Sequence, residues 1–296
     1  MPTEFYGDKS FQSVLGVDVG YSETRISTGI CLLSWDETEI SLKIGACRSN
    51  LCDQKQALRS FVNGHPLAAV AIDGPLTHKL ELVGYYRSAE ALLSRGCLQR
   101  RGKPGQTSSP VGQRLHHRAT ELAMFIVDCF RVQESSHYQP IHAKSIVEAF
   151  PNIFLAALIP EMRLPPLQRD ASDRYWEVAV EDGIFIQLME SLLPKRVLLN
   201  DLVQVTNHDE RAAIVCAFTA LVIATDQPVG VGDSSGGDII LPPSRSWGEA
   251  CNSSKSWILE ALRENIESVR ANRGIHPHHD SARIYEKTSE WKVDNV

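Results

Sequence analysis

Residues 13–20 read Ser-Val-Leu-Gly-Val-Asp-Val-Gly, and residues 67–75 read Leu-Ala-Ala-Val-Ala-Ile-Asp-Gly-Pro. Each stretch is a short apolar run that reaches an aspartate at its end and then a turn-forming glycine, which is the pattern of a buried strand. Ligand sites in open α/β sheets gather at the carboxyl ends of strands. If the two strands are neighbours, Asp18 and Asp73 converge there.

The segments around these two strands alternate between strand and helix patterns. Residues 25–35 and 39–48, which turn residues separate, predict a three-stranded meander together with the first strand. The remaining apolar runs predict further strands at 145–150, 229–232 and 238–241, and helices at 54–62, 86–94, 113–132, 174–193, 209–225 and 247–271. The predicted elements begin with strands and continue with strands that alternate with helices. This order predicts a mixed α/β sheet.

Length and composition indicate an ordinary globular chain. It has 296 residues, of which 43% are hydrophobic and 22% are charged, and its net charge is −6. These values exclude wholesale disorder and a small disulfide-built scaffold. We predict an N-terminal extension at 1–12, a single domain at 13–272 with helical and loop insertions at about 86–135 and 160–205, and a polar C-terminal tail at 273–296.

The cysteines and the apolar runs predict a cytoplasmic protein with no membrane segment. The seven cysteines include no Cys-x-x-Cys pair, and Cys31, Cys129 and Cys216 lie in apolar runs typical of reduced core residues. The longest apolar stretch, 212–224, is shorter than the roughly 20 residues that span a bilayer. Residues 1–12 lack the basic and apolar regions of a secretory signal.

A third acidic position opens the predicted buried helix, where Asp209 and Glu210 follow His208. Carboxylates that converge with Asp18 and Asp73 would repel one another, and Mg²⁺ or Mn²⁺ removes that repulsion because hard cations prefer oxygen ligands. Two such ions about 4 Å apart suit in-line hydrolysis of a phosphodiester. The pattern therefore predicts a two-ion site with Asp18, Asp73, Asp209 and Glu210 as ligands.

Each acidic residue also has a purely structural interpretation. Asp73 precedes Gly-Pro and could form a turn, and Asp18 between glycines could shape a tight turn. Asp209 and Glu210 could stabilise a helix N-terminus through the helix dipole, with Asn207 as the N-cap. His208 could shuttle a proton or orient a water, or it could cap or pack against the helix.

The order of these motifs resembles the RNase H-like fold, which opens with a three-stranded antiparallel meander and carries carboxylates on its first strand, its fourth strand and a late helix. The chain is most similar to the predicted RNase H-like nuclease family known as domain of unknown function 429, over residues 14–242. The resemblance rests on these motifs: Gly16-Val17-Asp18, Ala71-Ile72-Asp73-Gly74-Pro75-Leu76, Arg87-Ser88-Ala89-Glu90, Val147-Glu148-Ala149-Phe150-Pro151, the helix from His208 to Ala220, and Gly237-Asp238-Ile239-Ile240-Leu241-Pro242.

The resemblance implies a metal-dependent nuclease site. Asp18, Asp73 and Asp209 match the metal-binding carboxylates of the fold, and Glu148 is a candidate fourth catalytic residue. Related Holliday-junction resolvases look like Asp-x-x-Asp-Ala-Leu on this helix, and here Ala212 occupies the second aspartate position. Asp209 or Glu210 would then supply the ligand alone.

A basic segment between residues 87 and 118 is the predicted nucleic-acid contact. It has a net charge of +6 and includes a Gly/Pro/Ser-rich stretch that suits phosphate contact. The alternative is a solvated helix pair, in which Arg87 and Glu90 form a surface ion pair. The seven predicted contacts are Arg87, Arg95, Arg100, Arg101, Lys103, Arg114 and Arg118.

Two other functions remain open. Actin-like sugar kinases and ATPases share the first-strand turn Asp18-Val19-Gly20, and Gly236-Gly237 would then lie near adenosine, although such proteins usually run longer than this chain. A nuclease fold that has lost catalysis could still bind nucleic acid or a protein partner, and Ala212 favours that hypothesis.

Overall fold

A computed structural model of the chain describes residues 12–77, 81–102, 104–135, 143–166, 171–225, 227–251, 253–271 and 282–286. A mixed sheet of nine strands contains β1 Gln12–Asp18, β2 Ile26–Trp35, β3 Glu39–Arg48, β4 Leu67–Asp73, β5 Ile146–Ala149, β6 Val197–Leu198, β7 Val229–Asp233, β8 Gly237–Leu241 and β11 Arg283–Glu286. A separate pair is formed by β9 Glu249–Ala250 and β10 Ser253–Ser256.

Helices flank this sheet on both sides. They are α1 Leu51–Val62, α2 Ser88–Leu93, α3 Pro110–Cys129, α4 Pro151–Leu158, α5 Ala171–Glu181, α6 Ile184–Leu192, α7 His208–Ala224 and α8 Trp257–Ala271. The strand order is β11-β7-β8-β5-β4-β1-β2-β3-β6. Strands β1, β2 and β3 form the expected antiparallel meander, and β1, β4, β5 and β8 run parallel as neighbours. The predicted mixed α/β sheet is therefore confirmed.

Residue alternation along β1 and β4 decides which side chains face which helices. Val14 and Ala71 belong to the core cluster that contains α7, whereas Leu15 and Ile72 belong to the cluster formed with α1 and α3. Because successive residues of a strand point to opposite faces, Asp18 shares the α7 face with Val14, and Asp73 shares it with Ala71.

Two glycines let α7 lie directly against the meander. A Cβ at Gly16 would lie 2.2 Å from the Ala213 carbonyl oxygen, and one at Gly29 would lie 1.9 Å from the Asp209 carbonyl oxygen. Gly29 is the register partner of Asp18 across β1 and β2. Because these two glycines have no Cβ, the first turn of α7 can lie against the end of β1.

Replacement of Gly29 by alanine should lower the free energy of unfolding by at least about 1–3 kcal/mol, because the new methyl group collides with the α7 backbone and overpacking costs this much. Urea denaturation followed by circular dichroism measures the change. Gly105→Ala is the matched control, since a Cβ there meets nothing within 4 Å. Equal stabilities of the two variants would contradict the close approach of α7.

Several details differ from the sequence predictions. The helix expected at 247–271 begins only at Trp257, and β9 and β10 lie before it. The helix expected at 174–193 is two helices, because Gly183 adopts φ 67° and begins α6 after a sharp turn. The tail expected at 273–296 contains β11, which pairs antiparallel with β7. The thiol of Cys129 is exposed rather than in the core, whereas Cys31 and Cys216 are buried as predicted.

Candidate functional site

Asp18 and Asp73 are direct register partners at the carboxyl ends of the parallel strands β1 and β4. Both side chains are partly buried, and both line one cavity of about 130 Å³. The first turn of α7 and the beginnings of α4 and α5 surround this cavity. The predicted convergence of these two carboxylates is present in the structure.

Burial and mutual repulsion disfavour the charged forms of the pair. Removal from water, together with the charges of Asp73 and Asp209, raises the pKa of Asp18 well above its ordinary value. Removal from water and the charge of Glu148 raise the pKa of Asp73 to about 7, against the opposing effect of His208. A cation bound between the two carboxylates would relieve both effects.

The predicted ligands Asp209 and Glu210 lie in the first turn of α7, and neither is among the residues that line the cavity. Burial raises the pKa of Asp209, and His208 opposes this shift. The side chain of Asn207 accepts a hydrogen bond from the Glu210 amide at 3.1 Å, so the helix-capping interpretation of Asn207 is confirmed. His208 lines the cavity and contacts Asp173 through Nδ1 at 3.1 Å. Ala212, which stands at the missing aspartate position, also lines the cavity.

Two charged residues of the site escaped the sequence analysis. Asp173 of α5 contacts His208, and it also accepts a hydrogen bond from Arg211 Nη1 at 3.2 Å. Although burial acts in the other direction, these two partners hold the pKa of Asp173 below its ordinary value. Asp173 and Arg211 lie 38 positions apart in sequence, and no local pattern relates them.

The Asp18–Asp73 pair suits a hard cation whose remaining ligands come from outside the protein. Within the described ranges, no group of three or more His, Cys, Asp or Glu side chains is close enough to hold a metal ion. Mg²⁺, however, is commonly bound by one or two carboxylates together with waters and substrate phosphates. The Asp18–Asp73 pair fits that mode, and Asp209 is close enough for its charge to act on Asp18.

Glu148 does not join the carboxylates, which corrects its predicted role. It is the register partner of Ile72 rather than of Asp73, and Ile72 faces the α1 and α3 side of the sheet. Its Oε2 accepts hydrogen bonds from the Leu76 amide at 3.1 Å and from Arg87 Nη1 at 2.8 Å. Its carboxylate is thereby occupied within the fold.

Arg87 is likewise a structural residue and not a nucleic-acid contact. Its side chain is only 3% exposed, which also rules out a surface ion pair with Glu90. Nε donates to Glu90 Oε1 at 2.8 Å, Nη2 is paired with Glu148, and Nη1 also donates to the Gly236 carbonyl at 3.1 Å. Arg87 therefore ties α2 to β5 and to the β7–β8 turn.

Most of the other predicted basic contacts form hydrogen bonds within the protein or lie outside the described residues. Arg118 donates to the Ser49 carbonyl and to Gln54, and Arg101 donates to the Pro165 carbonyl. Arg114 is exposed on α3 and its guanidinium lies 5.5 Å from the ring centroid of Tyr21. Arg95 is partly exposed. Lys103 and the side chain of Arg100 lie outside the described residues.

The glycine-rich stretch at 230–237 contains the hairpin turn that joins β7 to β8. Asp233 Oδ1 accepts a hydrogen bond from the Ser235 amide at 2.8 Å, which closes the turn. Gly236 lies against Arg87 and is not among the residues that line the cavity. The turn therefore stands apart from Asp18 and Asp73.

Asp238 of β8 is another acid with a raised pKa, and it is not among the residues that line the cavity. Its side chain is 7% exposed, Tyr285 Oη lies 3.3 Å from Oδ2, and Oδ1 has no hydrogen-bond partner within the described part of the chain. Burial raises the pKa of Asp238 to about 7. Folded Asp238 therefore keeps its proton to higher pH than unfolded Asp238 does, so its contribution to stability declines as pH rises from about 4 to 7.

Replacement of Asp238 by asparagine should raise the free energy of unfolding at pH 8 by about 1–3 kcal/mol and give a smaller gain at pH 5, because the amide cannot ionise. Urea denaturation at both pH values measures the difference. Asp128→Asn, at an exposed position of α3, should change stability by about the same small amount at both pH values. A gain for Asp238→Asn that does not grow with pH would contradict the buried acid.

The chain has no match among known protein families, curated proteins or solved structures. The similarity to RNase H-like nucleases therefore stays a prediction that rests on the motifs. The described part of the chain also contains no helix with the length and hydropathy of a membrane span.

Proposed function

We propose that the chain is a divalent-metal-dependent nuclease that hydrolyses phosphodiester bonds of nucleic acid. The observation that carries this proposal is the pairing of Asp18 and Asp73 at neighbouring strand ends, where both open into one cavity. The meander and α7, which holds Asp209 beside β1, support the RNase H-like fold as part of the proposal.

In this proposal, Asp18 and Asp73 would hold one Mg²⁺ or Mn²⁺, and Asp209, whose charge acts on Asp18, would be the protein ligand of a second ion. A bound ion would lower the pKa of a coordinated water and neutralise charge on the phosphate. His208, which Asp173 orients through Nδ1, lies at the cavity and can hold or release a proton at the leaving oxygen. The seven free thiols support a cytoplasmic location.

The test compares wild type, Asp18→Asn and the surface control Asp128→Asn on single-stranded and duplex DNA and RNA, with Mn²⁺ and with Mg²⁺. We expect wild type and Asp128→Asn to cut at least one substrate, and Asp18→Asn to lose about 10³-fold in rate, because a metal contributes several kcal/mol to such a reaction. No cleavage of any substrate and no metal binding by calorimetry would refute the proposal.

The same preparation separates the two other hypotheses. Calorimetric binding of ATP, together with the absence of cleavage, would indicate an actin-like kinase or ATPase. Nucleic-acid binding that persists in EDTA, with no turnover in either metal, would indicate a binding protein that has lost catalysis.

A further inference from the structure

An aromatic ring and a guanidinium form an exposed pair on the α3 side of the strand ends. Tyr21 lies in the turn after β1, its side chain is 39% exposed, and the Cζ of Arg114 lies 5.5 Å from its ring centroid. Arg114 is exposed as well. Among the described residues Arg114 forms no ion pair, whereas Arg118, one turn further along α3, pairs with Glu23 and Glu121. We call the Tyr21–Arg114 pair the platform.

Hydrogen bonds hold the turn that carries Tyr21. The Gly20 amide donates to Thr28 Oγ1 at 3.1 Å, and Gln54 Nε2 donates to the Gly20 carbonyl at 2.9 Å. Arg118 Nη1 donates to Gln54 Oε1 at 2.9 Å, which joins this turn to α3. Groups that are already ordered lose little conformational entropy when they bind a ligand. The platform is therefore preorganised.

The platform also lies close to the carboxylate pair. Tyr21 follows Asp18 by three residues, so their Cα atoms are no more than about 11 Å apart. His116 Nδ1 lies 3.0 Å from the carbonyl oxygen of Pro75, two residues after Asp73, which places the beginning of α3 at the end of β4. At the rise of roughly 3.4 Å per nucleotide in a stacked strand, about three nucleotides cover such a distance.

The chemistry of the platform suits an unpaired nucleotide. An exposed aromatic ring stacks on any base, because every base has a π-face, and arginine contacts the phosphates of the same strand. The bases of a duplex are already paired and stacked, and a protein must break both interactions before it can stack on one of them. The combination of ring and free guanidinium therefore favours a single strand over a duplex.

Resting on the proposed nuclease function for its substrate, we propose that the platform binds an unpaired nucleotide of the strand that is cleaved. The base stacks on Tyr21, and Arg114 donates to a neighbouring phosphate. The substrate then carries a single-stranded segment within a few nucleotides of the cleaved bond. DNA and RNA share this chemistry, and the experiment includes both.

The test measures binding in EDTA by the fluorescence anisotropy of labelled single-stranded DNA and RNA oligonucleotides. Tyr21→Ala should weaken binding by about 5- to 100-fold, the usual effect of losing one stacked base. Tyr21→Phe keeps the ring and should stay within about twofold of wild type. A blunt duplex of the same sequence should bind Tyr21→Ala and wild type equally.

Salt dependence separates the role of Arg114 from that of Tyr21. Arg114→Gln should lower the affinity and reduce the slope of log K against log salt concentration by about 0.7, the value for one phosphate contact on a single strand. Tyr21→Ala should leave this slope unchanged. Arg163→Gln is the matched control, because it removes the same charge from a surface residue already paired with Asp182. Its affinity should stay within about twofold of wild type.

An abasic oligonucleotide tests the same contact without any variant. It keeps every phosphate and lacks the bases, so wild type should bind it about 5- to 100-fold more weakly than the normal strand. Tyr21→Ala should distinguish the two strands far less. This comparison on wild type decides if Tyr21→Ala does not fold.

The inference fails if wild type binds no single strand in EDTA, or if it binds normal and abasic strands equally. Equal affinities of Tyr21→Ala and wild type for the single strand would likewise exclude stacking on Tyr21, and an unchanged salt slope for Arg114→Gln would exclude the phosphate contact. None of these measurements needs turnover, so each leaves the nuclease proposal standing. Binding that shows all the expected differences, together with no cleavage in Mn²⁺ or Mg²⁺, would refute the nuclease proposal and support the platform as a single-strand binding surface.

Discussion

Replacement of Arg87 by methionine is expected to lower the free energy of unfolding by about 3–5 kcal/mol at pH 7, because removal of one partner from a buried ion pair leaves uncompensated charge in the interior. Here two carboxylates, Glu90 and Glu148, lose their shared partner. The Gly236 carbonyl loses its donor as well. Urea denaturation followed by tryptophan fluorescence measures the effect.

The structure offers a matched control for this result. Arg163 and Asp182 form two hydrogen bonds of 2.9 and 2.8 Å at the surface, and exposed pairs contribute at most about 1 kcal/mol. Arg163→Met should therefore change stability by about 1 kcal/mol or less. If Arg87→Met costs no more than Arg163→Met, the buried network does not hold the fold together.

A rescue variant identifies the cause. Glu90→Gln and Glu148→Gln, added to Arg87→Met, remove both stranded charges, while the glutamine oxygens can still accept from the Thr107 and Leu76 amides. Replacing all charged partners of a buried network is far less costly than removing one of them. We expect the triple variant to regain about half of the lost stability, and a triple variant less stable than Arg87→Met would contradict the charge argument.

Arg87 also shows where the sequence could not predict the site. A count of charges between residues 87 and 118 gives a basic segment, but it does not show which guanidinium the fold encloses. One of the two carboxylate partners of Arg87 is Glu148, 61 positions away, and that pairing exists only once β5 lies beside β4. The net charge of the segment was correct, but the prediction that Arg87 lies at the protein surface was wrong.

Glu148 shows that the sequence also could not predict the register between neighbouring strands. The apolar runs were sufficient to predict β4 and β5, and each run reaches its acidic residue at the end of the strand. A shift of one residue moves a side chain to the other face of a sheet. Because Glu148 pairs with Ile72, and Asp73 pairs with Ala149, the two acids point to opposite faces.

The Asp18–Asp73 pair was predictable for the opposite reason. Each aspartate follows its own apolar run, and β1 and β4 are parallel neighbours, so their ends coincide. The helical pattern of α5 was predicted within 174–193, but its position beside Asp18 and Asp73 was not, because that position depends on tertiary packing. The strand β11 was not predictable, since its four residues are too few to establish a period of two.

Replacement of Asp73 by asparagine should have opposite effects on stability and on activity. Burial raises the pKa of Asp73 from an ordinary 3.8 to about 7. The folded chain therefore binds more protons than the unfolded chain over this range, and wild-type stability in EDTA falls as pH rises through it. Asparagine has no proton to lose, so Asp73→Asn should be about 1–3 kcal/mol more stable than wild type at pH 8 in EDTA.

Divalent ions should make wild type more stable than Asp73→Asn, the reverse of the order in EDTA. A ligand that binds only the folded state stabilises it by about 2.7 kcal/mol at one hundred times its dissociation constant. Wild type should therefore gain stability in Mn²⁺, whereas Asp73→Asn, which lacks one of the two proposed ligands, should gain little and should lose about 10³-fold in cleavage rate. Thermal unfolding with and without Mn²⁺ measures the reversal, and Asp128→Asn should follow wild type in both conditions.

Each part of this reversal reports a different property of the pair. A gain in EDTA without a response of wild type to Mn²⁺ would mean that Asp73 is buried at a cost for a reason other than metal binding. A response to Mn²⁺ that Asp73→Asn retains would place the ion elsewhere in the molecule. The crossing of the two stability orders is expected only if the Asp73 charge that is costly to bury in the free chain is the charge that the ion neutralises.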